Sequence, residues 1–213
     1  MKRFYHSLPL ELNQNIYLDD ASAHHALQVM RVKKKDQLIL FNGDGYNYLG
    51  EAIEIEKKKL KIHILSREKN FSESPIKLIL IQSLSTNEKM DWIIQKATEL
   101  GVNQIYPINS SRSIIKLDKE RSDKKLMHWR QIAISASEQS GRAIIPEIHS
   151  PISFPQAVNQ IQLDNEALKI ILAPNSVDSF DKANTHRAST IVLLIGPEGG
   201  FSDEEIRLAE QHQ

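Results

Sequence analysis

The sequence contains no cysteine. That excludes a disulfide framework, thiolate metal sites and a cysteine nucleophile, and it suits a reducing compartment. A long apolar run is also missing. The longest apolar stretches, Ile170–Ala173 and Ile191–Ile195, fall far short of the ~20 residues that cross a bilayer. Met1 is followed by Lys2, Arg3 and His6 without an apolar core, so no secretory leader is legible. These absences together predict a cytoplasmic protein without a membrane partner.

Net charge is absent too, since 27 Lys+Arg balance 27 Asp+Glu, but the balance is uneven along the chain. Residues 1–72 carry 12 basic against 9 acidic side chains, residues 73–150 carry 11 against 9, and residues 151–213 carry 4 against 9. A polyanionic partner would therefore meet the first two thirds of the chain. Excesses this small are equally those of an ordinary solvated surface.

Residues 1–70 read as a small β-rich domain. Gln37–Phe41 is apolar, Asn42-Gly43-Asp44-Gly45 carries turn chemistry, Tyr48–Ile55 alternates in part, and Leu60, Ile62 and Ile64 alternate with polar neighbours. Asp19 to Met30 predicts a helix, with Ala23, Ala26, Leu27 and Met30 at helical spacing. Ser66–Pro75 is polar and is the candidate linker.

Residues 75–213 change to alternating strands and helices. Lys77–Gln82, Gln104–Ile108, Leu168–Ala173 and Thr190–Ile195 predict strands, the last two apolar enough to be buried on both faces of a parallel sheet. Asn87–Leu100, Asp118–Gln139 and Phe154–Ile161 predict helices, the first closed by Gly101. Ser202 and Glu205 form a capping-box pair that opens a final helix. The fold class is α/β, with helices on both faces of the sheet.

Three segments carry unusual chemistry. Gly196-Pro197-Glu198-Gly199-Gly200 joins a buried strand to a capped helix, at the carboxyl end of the sheet where open α/β proteins bind ligands. It is neither a dinucleotide fingerprint nor a phosphate loop ending in Gly-Lys-Ser/Thr, and such a loop is as often a tight connection as a site. Ser110-Ser111-Arg112-Ser113 follows another strand, and Glu138-Gln139-Ser140-Gly141-Arg142 ends the long helix. Arg112 and Arg142 have the bidentate geometry that clamps phosphates, and Glu138 is a candidate base; each is also an ordinary side chain at an element end. His24 and His25 are adjacent on a helix and face apart, so no metal site is expected.

Taken together, these segments resemble a known family. Asn87 to Val102 is similar to the "K-M-x-x-x-x-Q-K-x-x-E-L-G-V" run of the RsmE methyltransferases, which modify N3 of a uridine in small-subunit (16S) ribosomal RNA. Ser110-Ser111-Arg112, Glu138 to Ile148 and Leu194 to Gly200 match that family's Ser-Glu-Arg, "E-Q-x-G-R-x-x-x-P-E-I" and "L-I-G-P-E-G-G" segments. Arg3-Phe4-Tyr5 and His25 to Arg31 match its amino-terminal region. The matches are collinear over nearly the whole chain.

The resemblance implies a PUA-like RNA-binding β-barrel over residues 1–70 and a SPOUT-type knotted methyltransferase domain over 75–213. It implies S-adenosylmethionine as methyl donor, held largely by backbone groups of Leu172, Ala173, Gly196, Pro197, Glu198, Gly199 and Gly200. Arg112, Glu138 and Arg142 become the expected catalytic set, and Arg3, Arg31, Lys33, Lys34 and Lys89 the expected RNA contacts. A homodimer acting on 16S ribosomal RNA in the small subunit is the expected assembly. Two departures stand out. The family continues with an "L-G-x-R-x-L-R-x-E-T-A" segment that threads the knot, whereas this sequence stops at Gln213, so the knot and donor pocket are expected to be truncated. Lys35-Asp36 also stands where the family commonly has Gly-Asp.

Overall fold

The computed structural model describes residues 1–113, 115, 119–161, 166–173 and 188–211, and the chain divides into two compact units. The first comprises Met1–Glu73 and Ser137–Ile145; the second comprises Ser74–Ala136 and Pro146–Gln213. The sequence suggests one boundary near 70–75. The second unit is in addition interrupted by 137–145, whose contacts lie with the first.

The first unit is built on a five-stranded sheet. Its elements are β1 (Arg3–Tyr5), β2 (Asn15–Tyr17), α1 (Asp20–His24), a π-turn (His25–Val29), β3 (Gln37–Phe41), β4 (Tyr46–Glu56) and β5 (Lys59–Lys69). The strand order is β1-β3-β4-β5-β2, with β1 parallel to β3 and the rest antiparallel. Between β3 and β4 the chain reverses through Gly43 and Gly45, whose φ of 95° and 85° side chains rarely adopt. Alternation sends Leu38, Leu40, Leu60, Ile62 and Ile64 into one core with Phe4 and Tyr48, each worth about 1.5–3 kcal/mol of burial.

Two expectations change here. The helix predicted from Asp19 to Met30 is a short α-helix capped by Asp19, then a π-turn closed by the bond from Met30 N to His25 O. Ser66–Lys69, expected as linker, continues β5 and pairs with Leu49–Tyr46. The Arg67 guanidinium lies 3.6 Å from the Tyr46 ring centroid, a cation–π contact that rewards a polar strand.

The second unit is a parallel sheet. Its elements are β6 (Lys77–Ser83), α2 (Asn87–Glu99), β7 (Gln104–Asn109), α3 (Lys119–Ser140, its last residues in the first unit), β8 (Glu147–Ile148), β9 (Ile152–Ser153), α4 (Phe154–Ile161), β10 (Leu168–Leu172), β11 (Thr190–Ile195) and α5 (Asp203–Glu210). The order is β10-β11-β6-β7-β8, with β9 also on β7 and every pairing parallel. Ile79 and Ile81 from β6, with Val192 and Leu194 from β11, pack with Phe154, Val158, Phe201 and Ile206. On α2, Met90, Ile94 and Thr98 are buried, and Gly101 follows at φ 97° to end the helix. In contrast to the expectation for β10, that strand is only half-buried and its Leu172 is exposed, because it lies at the sheet edge. The segment expected to thread the knot lies outside the described residues. Among the described residues, no helix is long and apolar enough to cross a membrane.

Candidate functional site

Strand β11 lies between β10 and β6, and Leu172 pairs with Ile195. Leu172, Ala173 and the loop opening at Gly196 therefore share one carboxyl edge of the sheet. The loop turns tightly: Gly200 N donates to Pro197 O at 2.8 Å, and Gly200 has φ 67°. A Cβ on Gly196 would stand 3.1 Å from Phe201 N and 3.2 Å from Gly200 C. That crowding involves backbone, so only glycine fits comfortably. The loop leads into α5, whose N-terminus Ser202 and Glu205 close with a capping box.

The loop is held from two sides within its unit. Glu198 Oε1 accepts from Lys89 Nζ and from Ser85 Oγ, both at 2.7 Å. The Lys89 bond first, then the Ser85 bond, pull the Glu198 carboxyl down to about 2. Lys89, expected to meet RNA, is thus an ion-pair partner of the loop, although its side chain remains exposed. From the other side, Arg112 Nη1 donates to Gly199 O at 2.8 Å and to Phe201 O at 3.2 Å. Ser111 adds bonds from its N and Oγ to the Glu205 carboxylate, at 2.7 and 2.9 Å. Burial opposes ionisation of Glu205, but the bonds from Ser202 and Ser111 outweigh it and lower its pKa.

Beneath Ser111 and Arg112 sits a group of buried hydroxyls. Ser83 Oγ is 2.7 Å from Ser110 Oγ and 2.9 Å from Ser113 Oγ, and the latter two are 2.8 Å apart. They tie the ends of β6 and β7 together. Beside the glycine loop lies a cavity of about 550 Å³ with an apolar floor of Leu78, Leu80, Ile93, Leu193 and Ile195, reaching Gly196, Pro197 and Glu198 at its edge. An apolar hollow with a few polar groups at its rim is the usual form of a small-molecule site.

The remaining candidates fall in the first unit. Glu138 Oε1 accepts from Tyr5 N at 2.9 Å. Burial raises the Glu138 pKa, and the Tyr5 bond opposes the shift. Arg142 is not the exposed clamp its place at a helix end suggests. Its side chain is 4% exposed and grips Glu73, with Nη2 2.8 Å and Nε 3.1 Å from Oε2. Arg3 is likewise turned inward, donating to Asn47 Oδ1 at 3.0 Å and to Arg142 O at 2.9 Å. Each guanidinium is tolerated out of water because acceptors there compensate its lost hydration, a carboxylate for Arg142 and two neutral oxygens for Arg3. Arg31, Lys33 and Lys34 stay exposed. Among the described residues no group of His, Asp and Glu is arranged to hold a metal ion.

Glu73, Ser83 and Ser85 were not picked out by the sequence, because only a distant partner gives each a role.

A parallel α/β sheet with a braced glycine loop at its carboxyl edge, following a β-rich domain, defines a class. Residues 72–213 match the RNA methyltransferase domain and residues 18–65 the RNA methyltransferase PUA domain. Ribosomal RNA small subunit methyltransferase E of Buchnera aphidicola (subsp. Schizaphis graminum) is 37% identical over 99% of this chain and 84% of its own. Two solved structures have a TM-score of 0.91 to this chain and are 86% covered by it. One is a Legionella pneumophila methyltransferase in complex with the cofactor SAM, 37% identical over 99% of this chain. The other is ribosomal RNA small subunit methyltransferase E of Neisseria gonorrhoeae bound to S-adenosyl methionine, 34% identical over 100% of this chain. The chain belongs to the ribosomal RNA small subunit methyltransferase E family of RNA methyltransferases.

Proposed function

We propose that the protein methylates N3 of a uridine in 16S ribosomal RNA of the small ribosomal subunit, with S-adenosylmethionine as donor, as a cytoplasmic homodimer. The observation that carries this reading is the glycine loop, braced from both sides beside an apolar hollow at the sheet's carboxyl edge. It lies in a chain similar over its whole length to proteins solved with the donor bound. The residues fit the donor. A side chain at Gly196 would be crowded by the backbone of Gly200 and Phe201, and the hollow suits an aromatic or aliphatic group. Leu172, Ala173 and Gly196 to Gly200 would hold it, and its sulfonium supplies an electrophilic methyl group.

The chain's own residues have a different task. Uridine N3 carries a proton and becomes nucleophilic only when that proton leaves. Glu138, its pKa raised by burial, is the candidate that accepts it. Arg142, through Glu73, fixes the segment that carries Glu138. Residues 1–70 act as the RNA-binding PUA-like domain and 75–213 as the methyltransferase domain. The exposed Arg31, Lys33 and Lys34 meet RNA phosphates. Mass spectrometry of 16S ribosomal RNA from cells with and without the gene tests the reading: one methylated uridine should vanish with the gene. Unchanged RNA would overturn it.

A further inference from the structure

Segment 110–113 and the glycine loop form one hydrogen-bonded body. Ser111 joins it to Glu205, which also caps α5 by accepting from Ser202 N at 2.9 Å. Arg112 joins it to Gly199 O and Phe201 O. The segment has a firm base, because Ser110 and Ser113 share their hydroxyl bonds with Ser83 of β6. Buried, mutually satisfied hydroxyls of this kind favour a single arrangement. A displacement of Arg112 is therefore a displacement of the glycine loop.

Arg112 uses little of its bonding capacity in this brace. Both loop carbonyls are met by Nη1 alone. The side chain is exposed, and among the described residues Nε and Nη2 take no protein acceptor. A guanidinium carries five N–H donors in a rigid plane, so those that remain are held at a fixed angle to the loop. Arg142 offers the contrast, with Nε and Nη2 both turned onto Glu73. A side chain needed only as a brace would gain nothing from a charged fork facing water.

We propose that Arg112 couples the two substrates: one nitrogen holds the glycine loop in its donor-binding shape, and the remaining N–H groups meet an anionic oxygen of the RNA. This rests on the methyltransferase reading above. Arg112 is then a positioning residue for the donor and a contact for the RNA. Occupying its outer face restrains the guanidinium and so the carbonyls of Gly199 and Phe201. By linkage, each substrate must tighten the other by the same factor.

Calorimetry with S-adenosylhomocysteine, which allows no turnover, tests this on the full chain with and without 16S ribosomal RNA transcript. In the wild type the RNA should tighten S-adenosylhomocysteine at least about fivefold. Arg112→Ala should weaken S-adenosylhomocysteine about tenfold and bring the tightening ratio to about one, with the melting temperature unchanged. Arg112→Lys keeps the charge but not the fork, so it should retain most RNA affinity and lose most of the coupling. A purely structural brace would weaken the ligand equally in both conditions and leave the ratio intact, which would overturn the proposal. So would a wild type that binds both partners independently. A wild type that binds no S-adenosylhomocysteine would instead overturn the methyltransferase reading. A scrambled RNA that tightens equally assigns the oxygen to the phosphate backbone, and tightening by the native transcript alone assigns it to a base.

Discussion

Lys89 Nζ lies 2.7 Å from Glu198 Oε1, and the same oxygen accepts from Ser85 at 2.7 Å. The start of α2 thereby holds the middle of the glycine loop, across 109 residues of sequence. The Glu198 carboxyl is held down to about 2 by these bonds. A depressed carboxyl pKa stabilises the fold above the ordinary glutamate range and loses that effect as pH falls toward the depressed value. Glu198→Gln should therefore melt below the wild type at neutral pH, with the gap closing as pH drops toward about 2. Thermal melts of both proteins across that range check the sign.

Gly196 is crowded by the backbone of Gly200 and Phe201 where a Cβ would stand. Gly196→Ala would bring a Cβ to 3.1 Å from Phe201 N, and the loop must shift by a few tenths of an ångström. The expected outcome is a loss of about tenfold or more in kcat/KM for S-adenosylmethionine, with a melting temperature near that of the wild type. Steady-state kinetics with varied donor reads it.

The Arg142–Glu73 pair is nearly sealed from water, at 4% and 15% side-chain exposure. Removing one partner leaves the other charge poorly solvated. Arg142→Ala should cost about 3–5 kcal/mol in denaturant unfolding, and Arg142→Met combined with Glu73→Leu should recover most of it. If the single variant unfolds like the wild type, the pair does not hold segment 137–145.

Glu138 should separate stability from activity. Its raised pKa means the folded state binds this proton more tightly than the unfolded chain does. The associated stability is complete below the ordinary glutamate range and lost as pH rises through the raised value. Glu138→Gln stays neutral at all pH, so it should be at least as stable as the wild type at pH 7 while methylating poorly. The acidic limb of the pH–rate profile, set above the ordinary glutamate value, should disappear with it.

Lys35 sits at φ 74°, at the turn where the family commonly has glycine. Its amide still donates to Ala52 O at 2.8 Å, so the turn is kept despite the strain on Cβ. Lys35→Gly should stabilise the first unit by about 1 kcal/mol, or roughly 4–8 °C in its melting temperature.

Much of this architecture is written locally. The apolar runs at Gln37–Phe41 and Thr190–Ile195 form strands with those same ends. The helix over Asn87–Glu99, its glycine stop and the Ser202–Glu205 capping box also rest on neighbouring residues alone. Such signals depend on contacts a few positions apart, which a sequence displays directly. The glycine loop was legible for the same reason, as a strand end, a turn and a helix start in a row.

What the loop is fastened to belongs to the tertiary structure. No local pattern pairs Glu198 with Lys89 and Ser85, or Arg112 with Gly199 and Phe201, because parallel pairing of β11 with β6 and β6 with β7 is what brings those ends together. Nor does periodicity distinguish the buried Arg142 from the exposed Arg112, both of them arginines near element ends. Burial of a charge is decided by where an opposite charge or a carbonyl waits, and Glu73 lies 69 positions away. The sequence alone determined most of the longer strands and helices, the family and the position of the glycine loop. Folding decided which of its charged side chains face inward as braces and which remain turned toward a partner.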